Sequence, residues 1–399
     1  MAVEGQAKRR GLGSIDWRRF LVSWFAVPFA ALAALMLGAL MLIALGANPI
    51  TGYRALLTGA FGSADALTAT ALKAIPLVLV GAGICIAFRA NVLNIGGEGQ
   101  MVVGALVATL VALAVPNTPR PIMVPLVLLA GALGGALWGA IPGSLKAYFN
   151  VNEILSTIML NIVAVQLMNY LLAGPLIDKT LTTTFARIPQ TQRLSPSADL
   201  PVFSRSTGLH AGVLVAVVMA VAVYVLLWRT ALGFRLRAVG LSREASNYSG
   251  MSVKRSITLA LTLSGAMAGL AGAVLVFGSL SHRMVTDGSA TGFTQSAGFN
   301  GIVAALFGGL NPVWTLASSF IFGGLLVGGT NMQIAVQVPS SLIVALNGLV
   351  VVFVVSIEYV RRRYRLRVEP APVRGIGPAP PPATVGIEGL PATPGVMEG

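Results

Sequence analysis

The side chains that could do chemistry in this sequence are gathered in a few polar clusters that interrupt long apolar runs. The first cluster extends from Arg89 to Gln100 and places the carboxylate of Glu98 directly before a long stretch of apolar and small residues. A carboxylate there is costly in hydrocarbon unless it faces protein or water. We therefore predict that Asn91, Asn94, Glu98 and Gln100 line a polar path.

Three glycines surround that carboxylate, at Gly96, Gly97 and Gly99. Glycine lets a backbone break or approach another helix closely, and a half-helix that begins there would direct free N–H groups at whatever fills the break. We predict that these glycines form helix breaks that act as a gate. The alternative is that they pack helices together while Glu98 pairs with Arg89, and the two interpretations are compatible.

Two further clusters are candidates for the same path. Glu153, Thr157 and Asn161 recur at a spacing of four, which places them on one face of a helix. This stripe either contacts a solute or forms an interfacial cap and an interhelical hydrogen bond. Phe299 and Asn300 precede a glycine-rich run, and an aromatic ring beside an amide could stack on a ring and hydrogen-bond it. The alternative for Phe299 is packing between helices.

The fourth cluster is a basic loop, residues 230–256, between two apolar runs. Within it, Ser242 followed by Ala245 to Tyr248 predicts a short capped helix, and Gly250 predicts its C-terminal stop. A short polar helix exposed between two membrane segments is suited to contact with a soluble partner. The alternative is a helix that lies on the lipid surface.

The elements that position these clusters are membrane helices. The chain has 399 residues, of which 55% are hydrophobic and 10% charged, and its mean hydropathy is +0.82. So few charged residues cannot cover the surface of a soluble fold of this size. The sequence therefore predicts an all-α polytopic membrane protein with about ten transmembrane helices, some broken at glycines. The apolar segments lie near residues 25–46, 66–88, 93–115, 122–147, 153–174, 209–229, 257–280, 298–311, 313–330 and 339–360.

The distribution of basic residues predicts the orientation. With ten crossings, 19 Lys and Arg residues fall on one side and seven on the other, and the side with the excess is the cytoplasm. Both termini are therefore predicted to be cytoplasmic. Segments 93–115 and 298–311 are the doubtful crossings, but a re-entrant path for either would place the basic cluster at 361–367 outside.

The predicted domain organisation has three parts. Residues 1–24 form a cytoplasmic N-terminal segment, residues 25–367 form the transmembrane domain, and residues 368–399 form a Pro-rich cytoplasmic tail. The tail contains eight of the 22 prolines, so it is predicted to be disordered. The outer loop from Pro175 to Gly208 contains further prolines and predicts an irregular cap without a core of its own.

Several function classes are excluded by composition. One cysteine and two histidines supply too few ligands for a zinc or haem site, and no cofactor is predicted. The net charge of +14 belongs to cytoplasmic loops that face membrane lipids, so no nucleic acid partner is predicted. The sequence has no Gly-x-x-x-x-Gly-Lys-Ser/Thr loop, so any ATP that drives the protein must bind another chain.

Three motifs resemble those of a known family. They are the runs Asn91–Gln100, Asn152–Asn161 and Arg237–Met251. These motifs resemble the permeases of bacterial ABC importers in the branched-chain amino acid and simple-sugar superfamily. The likeness spans residues 25–360 and is closest to the nucleoside and simple-sugar permeases associated with basic membrane lipoproteins.

The resemblance implies a multi-pass permease subunit in the plasma (inner) membrane of a bacterium. It implies three partners, namely an ABC ATPase that binds ATP and Mg, a second homologous permease subunit and an extracytoplasmic solute-binding lipoprotein. The 230–256 loop then corresponds to the family's coupling loop. The residues expected to couple to the ATPase are Arg237, Gly240, Glu244, Ala245 and Gly250. Ser246 departs from the alanine usual in relatives, which leaves the fine contacts open.

A neutral, hydroxyl-rich solute such as a nucleoside or simple sugar fits a path with amides and one carboxylate. The predicted path comprises Asn91, Asn94, Glu98, Gln100, Glu153, Asn161, Phe299 and Asn300. The alternative function is an ion-coupled secondary transporter or channel, because ion coupling could use the deep carboxylate. An enzyme is not predicted, because no Ser/His/Asp or His-rich set lies at membrane depth.

Overall fold

A computed structural model describes residues 32–178, 189–204, 206–278 and 282–339, with a few positions between 341 and 352. The predictions for residues 1–24 and 368–399, and most of the segment 339–360, lie outside the described residues. The helices are α1 (Leu32–Ala44), α2 (Pro49–Phe61), α3 (Ala64–Arg89), α4 (Gly97–Ala114), α5 (Arg120–Phe149), α6 (Glu153–Ala173), α7 (Gly212–Arg229), α8 (Ala231–Leu241), α9 (Arg243–Tyr248), α10 (Val253–Phe277), α11 (Ala290–Thr294), α12 (Ala297–Phe307) and α13 (Pro312–Val336). Two short antiparallel strands, β1 (Val202–Ser204) and β2 (Leu209–His210), lie in the outer loop.

The predicted all-α polytopic membrane fold is confirmed. Within the described residues, seven helices are long and apolar enough to cross a membrane: α3, α4, α5, α6, α7, α10 and α13. The count of ten crossings and the cytoplasmic termini stay predictions. The helix α2 was not predicted, although Asn48 as N-cap and Pro49 at the first helical position are recognisable start signals.

The two doubtful crossings differ from each other. Segment 93–115 contains one continuous helix, α4, whose 18 residues extend about 27 Å. Segment 298–311 contains α12, whose 11 residues extend about 16 Å, roughly half of the hydrocarbon core. A left-handed pair, Gln295 and Ser296 with φ of +52° and +59°, separates α12 from the preceding α11. One break therefore lies before this segment, and a second lies within it, where α12 ends at Phe307 and Gly309 and Leu310 are left-handed with φ of +65° and +56°.

The centre of the bundle is α10, which packs against α3, α4 and α5. Glycines on α5 and α10 bring the two backbones into direct contact. A Cβ on Gly135 would lie 2.2 Å from the carbonyl oxygen of Gly265, and a Cβ on Gly269 would lie 2.2 Å from that of Gly131. These pairs show that α5 and α10 run in opposite directions, in the close packing that small residues permit between membrane helices.

The outer loop is anchored to the segment before α11. The N–H of Thr191 donates to the carbonyl of Met284, and the N–H of Leu194 donates to that of His282. Arg283 forms a 2.6 Å ion pair with Asp178. Leu194 is also buried in the main apolar core of the bundle, together with Ala198 and Leu200. The described part of this cap thus uses the core of the helices, whereas residues 179–188 and 205 are outside the described residues.

Candidate functional site

The site is built on the N-terminus of α12. The first N–H groups of a helix have no acceptor within it, and here a side chain from another helix supplies one. Oε1 of Glu98 accepts a hydrogen bond from the backbone N–H of Phe299, the third residue of α12, at 3.2 Å. The N–H of Gly298 and the hydroxyl of Thr294 interact with the same carboxylate. Glu98 therefore caps α12 from α4.

The capping carboxylate is enclosed. Glu98 is 1% exposed, and its Oε2 is buried without a hydrogen-bond partner of standard geometry among the described residues. A Cβ on Gly298 would lie 2.5 Å from the backbone nitrogen of Glu98, so only glycine lets the two helix starts approach this closely. A carboxylate at a helix N-terminus is favoured by the helix dipole, and this interaction offsets part of the cost of burial.

The depth of this contact follows from its neighbours on α3. Gly301 of α12 packs against Val80, and the carbonyl of Leu310 accepts a hydrogen bond from Nη2 of Arg89 at 3.3 Å. The helix α12 therefore runs beside the second half of α3. Val80 lies nine residues, about 14 Å, before the end of α3, which places the capped N-terminus near the middle of the bundle.

A second side chain caps α4 in the same way. Oδ1 of Asn161, on α6, accepts from the N–H of Gly99, the third residue of α4, at 2.8 Å. Nδ2 of Asn161 donates to the carbonyl of Ile95 at 3.0 Å. These contacts match the interhelical alternative considered for the α6 stripe. Of the other members, Thr157 bonds its own helix backbone and Glu153 pairs with Lys146 at 2.9 Å.

Asn94 and Gln100 bind each other. The amide of Asn94 donates to Oε1 of Gln100 and to the hydroxyl of Ser264, and its Oδ1 accepts from Nε2 of Gln100 and the N–H of Gly96. Both side chains are 1% exposed. This network fixes the segment that leads into α4, and the Asn94 amide uses both of its ends within the protein.

Asn91 lies away from the other predicted path residues. It is exposed at the end of α3, and its carbonyl accepts from Nη2 of Arg243, on α9, at 3.3 Å. Arg89, the alternative partner of Glu98, instead contacts Leu310 and lies over the ring of Trp228 at 5.1 Å. The arrangement of these residues joins α3, α7 and α9 at the predicted cytoplasmic side.

The predicted coupling loop contacts the same region. A Cβ on Gly240, in α8, would lie 2.1 Å from the carbonyl oxygen of Arg89, so α8 packs directly on the end of α3. The guanidinium of Arg237 lies 5.9 Å from the Trp228 ring centre. The loop 230–256 therefore rests on the segment that precedes Asn94 and Glu98.

The predicted short helix within that loop is confirmed as α9. The Ser242 hydroxyl accepts from the N–H of Ala245, and Gly250 follows the helix with a φ of +77°. Glu244, in the first turn, and Ala245 are exposed. Leu241 and Tyr248 are 90% and 94% exposed, which is unusual for large side chains next to packed helices and is typical of a binding surface.

The sequence predictions missed a group of side chains next to the break between α11 and α12, on the side away from α8 and α9. Lys73, on α3, donates to Oε1 of Gln295, the first residue of the left-handed pair. Both residues line a cavity of about 240 Å³, together with Thr294 and His210. The available signal was a single lysine within an otherwise apolar helix. Phe299 supplies its N–H to the site while its side chain is 43% exposed, and Asn300 is half-buried.

The described helices define a multi-pass membrane bundle with a capped helix start near its middle. The family model described as "Branched-chain amino acid transport system / permease component" matches residues 66–355. The chain belongs to this family of ABC transporter permeases, whose members are multi-pass proteins of the plasma membrane. No solved structure matches the chain.

Curated relatives cover most of the chain. It is 37% identical to the guanosine ABC transporter permease protein NupP of Bacillus subtilis, over 85% of this chain and 95% of the relative. It is 34% identical to the glucose ABC transporter permease protein TsgB13 of Haloferax volcanii, over 88% and 93%. It is 31% identical to the nucleoside ABC transporter permease protein NupB of Lactococcus lactis, over 79% and 85%. The names of these relatives include both nucleosides and a sugar.

Proposed function

We propose that this chain is the transmembrane permease subunit of an ATP-driven importer for nucleosides or simple sugars. Family membership supports the permease role, and the names of the relatives support this range of solutes. An ion-coupled transporter or channel is not favoured by that membership.

The observation that carries the mechanism is a continuous set of contacts from the exposed surface of α9 to the helix break. Arg243 of α9 binds the carbonyl of Asn91, and Gly240 of α8 packs on Arg89. The segment after Asn91 leads to Glu98, which caps α12. A movement of α8 and α9 would thus be transmitted through one short rigid segment to the N-terminus of α12.

In the proposed cycle, ATP binding closes the ATPases and displaces α9. The helix displaces the segment 89–96, and the Glu98 carboxylate moves relative to the α12 N–H groups. Loss or reformation of this cap allows α12 to tilt, which opens the path alternately to each side. Polar groups of the solute replace the Glu98 carboxylate transiently as they pass the break. They can do so because the solute and the carboxylate both present hydrogen-bond acceptors to the same N–H groups of α12.

The proposed complex assigns chemistry and capture to other chains. A separate ABC ATPase binds ATP and Mg, and it docks on the surface that Leu241, at the end of α8, and Tyr248, in α9, present. A second homologous permease subunit completes the membrane path, and an extracytoplasmic lipoprotein delivers the solute. The proposal places no cofactor on this chain.

The test is uptake of labelled guanosine, cytidine and glucose by cells with and without this gene. We expect cells without the gene to lose uptake of one of the nucleosides or sugars. In cells with the gene, we expect that uptake to stop on depletion of ATP rather than on collapse of the proton gradient. Unchanged uptake of all three with loss of a chemically different solute would overturn the proposed solute class. Transport that follows the proton gradient would overturn the ATP-driven mechanism.

A further inference from the structure

The cavity that contains Lys73 lies on the opposite side of the α11–α12 break from α8 and α9. It is lined by α3, His210 of β2, the end of α10, the break itself and α13, and its volume is about 240 Å³. The cavity is open on one side, because Lys73 and Gln295 in its lining are exposed. Thr294 forms part of its wall, and the Thr294 hydroxyl interacts with the carboxylate of Glu98. A cavity of this volume suits a small solute.

The cavity presents hydrogen-bond donors beside the break. The ammonium of Lys73, the tenth residue of α3, binds Gln295 through the carbonyl oxygen of its amide. The amide has a second polar end, so the pair offers a ligand both an ammonium and an NH₂ group. A lysine at membrane depth is costly unless it has a polar partner or water, and one amide oxygen satisfies only one of its three donors.

The cavity also presents an acceptor and apolar walls. Pro76 has no N–H, so the carbonyl of Leu72 lacks the hydrogen bond that an α-helix would give it. Both residues line the cavity, and Leu77 and Leu326 complete apolar walls that suit the face of a ring. The arrangement therefore combines donors, one backbone acceptor and ring-sized apolar contact.

One formal charge dominates the cavity at neutral pH. His210 is the other titratable group among the described lining residues, and burial lowers its pKa from the ordinary value, so it is neutral. Nδ1 of His210 accepts from the N–H of Gly212 at 3.1 Å. The ring therefore presents an N–H at Nε2, and the charge of the cavity is that of Lys73.

We propose that this cavity is a solute-binding chamber outside the Glu98 gate and that Lys73 sets its charge selectivity. The chamber accepts a neutral ring solute with several hydrogen-bond acceptors, such as a nucleoside or sugar, and it opposes a cationic ring by Coulomb repulsion at short range. The proposal rests on the proposed transport function and names the determinant of its selectivity.

The first experiment tests whether position 73 faces a solute. Cys85 is buried, and Cys85→Ala removes the chain's one thiol, so Lys73→Cys then supplies the only one. We expect an impermeant thiol reagent added outside to label Lys73→Cys in cells that express the whole complex. Saturating cytidine should slow the labelling about tenfold, which corresponds to about 1.4 kcal/mol. The matched control is Ala87→Cys, fully buried on the same helix, which should not react.

The second experiment tests selectivity. The uptake of 3-methylcytidine, which is cationic at neutral pH, is compared with that of cytidine. We expect Lys73→Gln to raise the ratio of cationic to neutral uptake about tenfold, and Lys73→Arg to keep the wild-type ratio. Arg54→Gln is the control, because Arg54 is exposed on α2 outside the cavity. An unchanged ratio in Lys73→Gln would overturn the selectivity role.

The outcomes separate the chamber from the transport function. If the wild-type complex takes up neither nucleosides nor sugars, the proposed function fails. If it takes up cytidine but Lys73→Cys is unreactive or unprotected, the chamber alone is overturned. If neither the wild-type protein nor Lys73→Gln takes up 3-methylcytidine, the labelling experiment decides. Protection of Lys73→Cys by cytidine then supports the chamber, and lack of protection overturns it.

Discussion

The carboxylate of Glu98 accepts a hydrogen bond from the backbone N–H of Phe299, 201 residues further along the chain. Each residue lies in the first turn of a helix, and the two helices start next to each other near the middle of the bundle. The carboxylate supplies the acceptor that the first turn of α12 lacks. Since the cap comes from another helix, relative movement of α4 and α12 must change it.

Replacement of this carboxylate tests the cap. Glu98→Gln keeps an acceptor for Phe299 but loses the charge that favours the helix N-terminus, an effect of about 1 kcal/mol, or roughly fivefold in a rate. We expect uptake to fall by about that factor while the amount of assembled complex in the membrane stays at the wild-type level. Wild-type uptake by Glu98→Gln would remove Glu98 from the gate.

The close approach of the two helix starts depends on Gly298. In Gly298→Ala, the new Cβ would lie 2.5 Å from the backbone nitrogen of Glu98, so the helices must separate. Overpacking of this kind costs about 1–3 kcal/mol, and we expect a lower melting temperature in detergent and impaired uptake. Gly348→Ala is the control, because nothing lies within 4 Å of its Cβ position. Equal melting temperatures for the two variants would contradict the contact.

Asn161 makes two bonds to the start of α4, and its substitutions separate them. Asn161→Asp keeps the acceptor for the Gly99 N–H and loses the donor to the Ile95 carbonyl, whereas Asn161→Ala loses both. We expect destabilisation of about 1 kcal/mol per bond, with Ala the more severe, measured by unfolding in mixed micelles. Ser156→Ala, which loses a bond within its own helix, should have a smaller effect. The reverse order would rule out this trans cap.

The exposed surface formed by the end of α8 and by α9 predicts the ATPase contact. Leu241→Ser and Tyr248→Ser remove large side chains that are 90% and 94% exposed, and truncation of such anchors in an interface costs about 2 kcal/mol or more. We expect roughly thirtyfold weaker co-purification of the ATPase subunit. Tyr170→Ser, at a 69% exposed position on α6, is the control and should retain the ATPase. Retention by all three variants would place the docking surface elsewhere.

His210 predicts a pH dependence of stability. Burial lowers the pKa of His210 below its unfolded value of about 6.5, so the unfolded state binds the proton more readily. Above about pH 6.5 His210 is neutral in both states and does not reduce the stability of the fold. As the pH falls below this value, protonation of the unfolded state lowers the free energy of unfolding. We expect the melting temperature to decrease on acidification from pH 7.5 to 5.5. His210→Asn, which can still accept from the Gly212 N–H, should flatten this decrease; an equally steep decrease in this variant would contradict the assignment.

The sequence predicted the broad organisation well because hydropathy is a local property. The segments 66–88 and 153–174 correspond to α3 and α6 within a few residues, and Ser242 and Gly250 marked the ends of α9 through their own capping chemistry. The helix α2 was missed because, at 13 residues, it is too short to predict as a membrane crossing and lies between two longer apolar runs.

The site was predicted in part. Glu98, Gly97 and Asn161 were selected as polar or flexible positions, since burial of a carboxylate demands a partner, and the structure brings them together at the start of α4. Their roles in a solute path and a gate stay predictions. Their partners could not be predicted. Asn94 and Gln100 satisfy each other and fix the backbone. Lys73 stood out as a single lysine in an apolar helix, but its partner Gln295 lies 222 residues away in the chain, and no local pattern joins the two.

Sequence by itself determined that the chain is a membrane helix bundle with a basic loop between two spans, because each residue's transfer energy and charge act where the residue stands. The tertiary structure decided which helix starts are capped, by which side chains, and where the Lys73 cavity lies. Those features depend on contacts between helices far apart in the chain, which form when glycines such as Gly298 and Gly240 let backbones approach within van der Waals distance.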